Sequence, residues 1–197
     1  MGVIFDNSEL WVEALGNTLL LFVAGGGIAL VLGLLVGAMR VSPVPIARGV
    51  GTVYVNVVRN TPLTLVFFFF AFGYPQLLPS PGFTVLAIWA LGVYTATYVA
   101  EVVRAGVNTV PVGQAEAARA LGLTFGQVMS LVVLPQAVRS VVPPMMSVLI
   151  ALLKNTTVAA GFSVLELGAT RAYLSERGEN ALVVLLWVAA IFVALVF

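Results

Sequence analysis

Glu116-Ala117-Ala118-Arg119-Ala120-Leu121-Gly122, followed after nine intervening residues by Val132-Val133-Leu134-Pro135, is a polar island in a chain that otherwise runs apolar for about a bilayer's thickness at a time. Glu116, Arg119, Thr124, Gln127, Ser130 and Gln136 all fall within or beside it, so this part of the chain belongs at a water-facing surface. Ala117, Ala118, Ala120 and Leu121 favour helix and Gly122 suits a helix stop, which predicts a short surface helix over residues 114–121. Residues 123–131 predict a second short helix. Leu134-Pro135 should end it, because a proline disfavours helical geometry at the residue before it. The expectation is a helix-turn-helix on one membrane face.

The composition sets the surroundings of that island. With 61% hydrophobic and 9% charged residues over 197 positions and a mean hydropathy of +1.11, the chain cannot cover a globule with polar surface. It reads as an all-α integral membrane protein. Cysteine and histidine are absent, which removes disulfides, thiol chemistry, histidine metal sites and histidine general bases together. No enzymatic role and no metal site are expected. Gly25-Gly26-Gly27 lies in an apolar stretch with no Lys-Ser/Thr behind it, so it is not a phosphate loop and reads as close packing between membrane helices. Any ATP must be hydrolysed by another chain. The net charge of +1 gives no reason to expect nucleic acid; what matters is where the nine basic residues sit.

Residues 1–16 mix Asp6, Glu9 and Glu13 with Phe5, Leu10 and Trp11, which predicts a short amphipathic segment at the membrane interface, without the basic start of a signal peptide. Spans are predicted at about residues 18–39, 50–72, 83–103 and 138–154, with a fifth from near Asn180 to the end. Arg40, Ser42-Pro43, Pro45 and Arg48 make a basic loop after the first span. Gly73-Tyr74-Pro75 and Leu78-Pro79-Ser80-Pro81-Gly82 make a turn-rich connection after the second. The whole of 1–197 reads as one transmembrane domain whose largest polar loop is 106–136. The last span has no basic anchor behind it, so the natural chain is expected to continue beyond Phe197.

Five spans put the two termini on opposite sides. Arg40, Arg48, Arg104, Arg119 and Arg139 fall on one side, and Asp6, Glu9, Glu13, Glu166, Glu176 and Glu179 on the other, against only Arg171 and Arg177. By the positive-inside rule the first side is cytoplasmic, with the N-terminus outside and the polar loop inside.

Two charges are out of place in this layout. Arg59 follows Arg48 by 11 residues, about 16 Å of helix, and Lys154 follows Arg139 by 15, about 22 Å, so both are expected deep in the bilayer. A charge there costs at least ~2.5 kcal/mol, so each should face a cavity or a partner. Asn56, Asn60 and Thr61 accompany Arg59; Asn155, Thr156 and Thr157 accompany Lys154. The expectation is a shared wet pocket, with Pro62 freeing the Val58 carbonyl toward it. Two readings are open. The clusters hold the carboxylates of an amino acid, Arg59 by a bidentate grip, or Arg59 and Lys154 pair with Glu101 or Glu166 as structural ion pairs. Glu101 is also explained by an i,i+3 bridge to Arg104, and Glu166 could close an outer vestibule or cap a short outer helix.

The loop spacing resembles the EAA loop of ABC-importer permeases: Glu-Ala-Ala, three residues, Gly, nine residues, an aliphatic, one residue, then Leu-Pro. Val132 stands where that family usually has isoleucine. Arg59-Asn60-Thr61-Pro62-Leu63, Ala100-Glu101-Val102-Val103-Arg104-Ala105-Gly106 and Lys154-Asn155-Thr156-Thr157 resemble signatures of the polar amino acid branch, the His/Glu/Gln/Arg/opine type, and most of all actinobacterial glutamate-uptake permeases. The resemblance implies the MetI-like fold of a type I importer permease in the bacterial inner membrane, with about five transmembrane helices. It implies cytoplasmic ATPase subunits that bind ATP and magnesium, a second permease subunit, an extracytoplasmic amino-acid-binding protein, and no cofactor on the chain itself. Glu116, Ala117, Ala118, Arg119, Gly122, Leu134 and Pro135 would form the coupling surface for the ATPase. Asn56, Arg59, Asn60, Thr61, Lys154, Asn155 and Glu166 would surround the substrate. Two cations in one pocket suit glutamate or aspartate. Glutamine, histidine or arginine is the alternative within this importer type, and an ATP-independent secondary transporter is a more distant one, since it would need a proton or sodium relay of its own.

Overall fold

The computed structural model describes residues 2–197, and they are almost entirely helical. No proline and only three charged side chains fall between Ser8 and Val41, and that stretch forms one uninterrupted 34-residue helix, α1, about 51 Å long. A single turn at Gly2–Phe5 precedes it. The interfacial segment expected over residues 1–16 is therefore largely the start of α1; Met1 lies outside the described residues. Its apolar side chains Leu10, Trp11 and Ala14 are buried against Leu167, Leu174 and Val184, so protein rather than the membrane interface covers them.

The second span is not one helix. Pro45–Arg59 forms α2, with its proline in the first turn where the missing N–H would have had no partner. Leu63–Leu77 forms α3, bent by 100° from α2. A residue before proline is steered out of helical geometry, and Thr61 precedes Pro62, so the chain stops and restarts there. The Val58 carbonyl, expected to be free, accepts the Thr61 N–H at 3.2 Å, because the chain caps α2 instead of running through the proline.

Phe83–Asn108 forms α4 and Val112–Ala120 forms α5, close to the expected span and surface helix. Phe125–Phe162 is then one 38-residue helix, α6, where the sequence predicted a short helix ended by Leu134-Pro135 and a separate span. A widened π turn at Val128–Val133 lies just ahead of Pro135, and another at Phe69–Gly73 just ahead of Pro75 in α3. A proline ring collides with the carbonyl of the turn before it, and an extra residue in that turn moves the carbonyl aside, so the helix passes through. The same device makes Gly73-Tyr74-Pro75 helical rather than a turn. Thr170–Glu176 forms α7 and Ala181–Val196 forms α8, whose first N–H groups at Leu182 and Val183 are accepted by the Asn180 side chain. Among the described residues, α1, α4 and α6 are long and apolar enough to cross a membrane alone; α2 and α3 are long and apolar enough only as a bent pair taken together, and α8 is a shorter apolar helix.

The seam that organises the bundle joins α1 to α4, which run parallel. A Cβ on Gly33 would lie 2.4 Å from the Val99 Cβ, one on Gly37 2.8 Å from the Val103 Cβ, and one on Gly92 2.5 Å from the Ile28 Cγ2. Small residues let helix backbones approach in lipid, where the hydrophobic effect cannot drive them together. The Gly25-Gly26-Gly27 run is looser: Gly25 and Gly26 meet side chains at 3.3 Å and Gly27 faces open space. The seam fixes a register in which the last turn of α1 sits beside Glu101 of α4.

Candidate functional site

Glu101 lies seven residues, about 10 Å, before the Asn108 end of α4. Arg40, from the last turn of α1, hydrogen-bonds Oε2 through Nη1 and is only 9% exposed. Arg104, one turn further along α4, donates from Nη2 to Oε1 at 2.5 Å, as the i,i+3 reading expected. Arg59 Nη1, at the end of α2, is 4.0 Å from Oε2 and its side chain is 46% exposed. One carboxylate thus serves three guanidinium groups, and the node carries an excess of two positive charges. Arg59 is nearer the arginine-rich end of the bundle than the sequence predicted. Its guanidinium reaches the level of Glu101, which lies only seven residues from the end of α4.

Arg59 also stands over the Tyr98 ring, with Cζ 5.4 Å from the centroid. Tyr98 and Tyr94, four apart on α4, share a hydrogen bond of 2.9 Å between their hydroxyls. Both line a cavity of about 370 Å³ between α4 and α6, together with Thr95, Ser147 and Asn155. The Thr95 hydroxyl is buried and has no hydrogen-bond partner among the described residues. A buried hydroxyl left unpaired is unfavourable by about 1–3 kcal/mol, so this is a position poised to bond a ligand or water.

The structure therefore brings together part of the expected pocket. Asn155 lines the cavity and Arg59 flanks it through Tyr98. Lys154 is exposed and lies outside the lining, as do Asn56 and Asn60; the Thr61 hydroxyl donates to the Val57 carbonyl at 2.8 Å. Neither Lys154 nor Arg59 pairs with Glu166. That carboxylate is fully buried and accepts the N–H groups of Gly168 at 2.8 Å and Ala169 at 2.9 Å, so it closes the turn ahead of α7 and does not cap the helix itself. Burial pushes its carboxyl above the usual range, against the two backbone donors that pull it down. Sequence reasoning missed Tyr94, Thr95, Tyr98 and Ser147. The signal was present in the two tyrosines four apart in an apolar span, which must share one helix face.

On α5 Glu116, Ala117 and Arg119 are exposed, as are Val112, Gln114 and Ala120, whereas Ala118 turns inward against Val128 and Val133. The expectation that Ala118 belongs to the coupling surface is corrected to that extent: a nine-residue helix held on the bundle must bury one stripe. Gly122 has φ +85°, its N–H reaches the Arg119 carbonyl at 2.9 Å, and the Leu123 N–H reaches that of Ala118 at 3.2 Å. This is a Schellman stop, and glycine suits it because other residues are strained at that φ. Gln136 Nε2 donates to Gln114 Oε1 at 2.5 Å and ties α5 to α6, on which Leu134 and Pro135 are exposed.

A parallel glycine-packed helix pair, a bent helix pair and an external short helix on a polar loop define a multi-helix membrane protein. The chain belongs to the family of binding-protein-dependent transport system inner membrane components, which matches residues 29–197. It is 46% identical over 176 residues to a glutamate transport system permease protein of Corynebacterium glutamicum, covering 83% of this chain and 76% of that one. It is 36% identical over 151 residues to an arginine transport system permease protein of Bacillus subtilis, covering 75% and 68%. A solved structure, of an amino acid ABC transporter with histidines, superposes with a TM-score of 0.91 at 26% identity, covering 98% of this chain and 90% of that one. The fold is that of type I importer permeases.

Proposed function

We propose that this chain, with a second permease subunit, forms the path by which an acidic amino acid crosses the bacterial plasma membrane. Glutamate is the first choice and aspartate the second. The amino acid arrives from an extracytoplasmic binding protein, and a separate ATPase dimer holding ATP and magnesium drives the step. One observation carries the reading. Arg40 and Arg104 already meet the single charge of Glu101, so Arg59 brings an uncompensated cation to the wall of the Tyr94–Tyr98 cavity. A guanidinium grips a carboxylate bidentately, and the Tyr94, Thr95, Ser147 and Asn155 groups supply donors and acceptors for the rest of an amino acid. The name of the Corynebacterium glutamicum relative supports glutamate, and its identity exceeds that of the relative named for arginine.

The arginine-rich end is assigned to the cytoplasm by the positive-inside rule, with the N-terminus outside. On that assignment α5 faces the ATPase and offers Glu116, Ala117 and Arg119, with Gly122 fixing where the helix stops and Leu134-Pro135 bordering it on α6. Closure of the ATPase dimer on ATP moves α5, and the permease pair rocks between inward-open and outward-open states around the cavity. Asn56, Asn60, Thr61 and Lys154 remain secondary candidates for the path.

The test is uptake of radiolabelled glutamate into proteoliposomes holding this chain with its ATPase and binding protein. ATP-dependent uptake competed by aspartate but not by arginine, and reduced at least tenfold in Arg59→Gln, is expected. Equal uptake by the variant removes Arg59 from the path, and arginine uptake in place of glutamate overturns the substrate. In the same vesicles Glu116→Lys should leave ATP hydrolysis and lose transport; unchanged transport would disprove the coupling role of α5.

A further inference from the structure

The Tyr94–Tyr98 cavity is elongated. The Ser140 hydroxyl of α6 reaches the Gly106 carbonyl of α4 at 3.3 Å, and further along Tyr94 and Tyr98 face Ser147 and Asn155, so the two helices run antiparallel. Tyr98 stands eight residues before Gly106 and Val148 eight after Ser140, which puts Tyr98 level with Ser147 and Val148. By the same count Thr95 is level with Ala151. Asn155 lies eight residues beyond Ser147, about 12 Å along α6. Polar groups therefore stand at both ends: Arg59, Tyr98 and Ser147 toward the arginine-rich side, and Asn155 away from it.

Ala151 falls midway, about 6 Å along the helix from each end. It is the smallest side chain of the lining and is exposed, although it lies inside a membrane-crossing helix. Opposite it, the Thr95 hydroxyl is buried with no hydrogen-bond partner among the described residues. Thr95 and Ala151 make the waist of the cavity. Ser147, Ala151 and Asn155 form one stripe of α6, whereas Leu195 and Val196 of α8 lie against Met146, Leu149, Ile150 and Leu153, roughly on the opposite side of the helix. The waist thus belongs to a different face of α6 from the one packed on α8.

We propose that Ala151 is a specificity-determining residue of this cavity, a reading that rests on the acidic amino acid path proposed above. Its methyl leaves the waist open, so glutamate lies through it with the side-chain carboxylate at Arg59 and the α-amino and α-carboxylate groups toward Thr95 and Asn155. Charge sets that direction. The Glu101 node carries an excess of two positive charges, and an α-carboxylate placed at Arg59 would bring its neighbouring ammonium group into their repulsion. Aspartate, one methylene shorter, fits on one side of the waist. A larger group at position 151 therefore excludes glutamate before aspartate.

The chain has no cysteine, so Ala151→Cys gives it a single thiol at the waist. Uptake of radiolabelled glutamate and aspartate is measured in proteoliposomes holding this variant with its ATPase and binding protein, before and after methyl methanethiosulfonate, which adds a methylthio group to the thiol. Wild type treated alike gives the baseline. Modification should lower the preference for glutamate over aspartate about tenfold, the weight of a methylene that no longer fits, and saturating glutamate should slow the modification. An unchanged preference in modified protein, equal loss of the two amino acids, a thiol that the reagent does not reach by intact mass, or modification as fast with glutamate as without it would each overturn the role of Ala151. Arg59→Gln in the same vesicles separates this proposal from the path itself. Glutamate uptake lost in Arg59→Gln but insensitive to modification at position 151 overturns the waist alone, and uptake unchanged in both removes the cavity from the path.

Discussion

Two buried or half-buried carboxylates at opposite ends of the molecule are satisfied in different ways. Glu101 is met by guanidinium groups from α1, α2 and α4, so it joins three helices that are distant in sequence. Glu166 is met by the backbone of its own turn, at Gly168 and Ala169, and joins nothing beyond its neighbourhood. Both arrangements remove an uncompensated charge from a low-dielectric interior, but only the first makes helix positions depend on charge. The acidic end is tied by weaker links: Asn7 accepts Arg177 Nη1 at 3.2 Å and donates to Glu179 at 3.3 Å. Electrostatic coupling between helices is therefore concentrated at the arginine-rich end, beside the proposed drive helix.

The largest expected effect breaks that contrast at Glu101. Glu101→Gln strands the buried Arg40 charge and should lower stability by about 3 kcal/mol, a fall in the melting midpoint of roughly 6–12 °C in detergent. A fall under about 2 °C would mean that water, not Glu101, balances Arg40. Next, Gly33→Ala places a Cβ 2.4 Å from the Val99 Cβ and should cost about 2 kcal/mol by spreading the seam that brings Arg40 to Glu101. Combining it with Glu101→Gln should give less than the sum of the two, and strict additivity would separate the seam from the node. Glu166→Gln keeps the shape but replaces a charged acceptor, so a smaller loss of about 1.5 kcal/mol is expected, confined to the 164–176 region in hydrogen exchange. Spread of that effect to α4 would dissolve the contrast. The smallest change in stability belongs to Arg59→Gln, under about 0.5 kcal/mol, because its side chain is 46% exposed and 4.0 Å from its partner. Its effect should fall on uptake instead, and a large drop in midpoint would return it to structural duty.

Much of this was legible from residue order. Long apolar runs between arginine-bearing loops marked the crossings, the alanines and Gly122 marked α5 and its stop, and the Glu101–Arg104 spacing marked a bridge. What misled was proline. Pro135 and Pro75 were read as ends, yet each helix continues because a widened turn precedes the ring; Pro62 was read as a kink within a span, yet the chain breaks there by 100°. Nothing in a local stretch distinguishes these outcomes, since each depends on whether neighbouring helices hold the flanking turns in line. The substrate-side residues were only partly legible for a related reason. Arg59 was conspicuous as a charge in an apolar run, whereas Tyr94, Thr95 and Ser147 became candidates only once α4 and α6 were placed side by side.

The sequence alone determined that this chain lives in a membrane, crosses it repeatedly as helices and presents one short polar helix at its arginine-rich end. Those properties follow from transfer free energies and local backbone preferences, which are sums over neighbouring residues. Only the tertiary structure decided that Arg40, Arg59 and Arg104 share a single carboxylate, that Glu166 is held by its own turn, and that Lys154 lies outside the cavity. The shared carboxylate follows from the glycine seam of α1 and α4, which brings together residues 61 positions apart in sequence, and the Coulomb energy of a pair depends on distance.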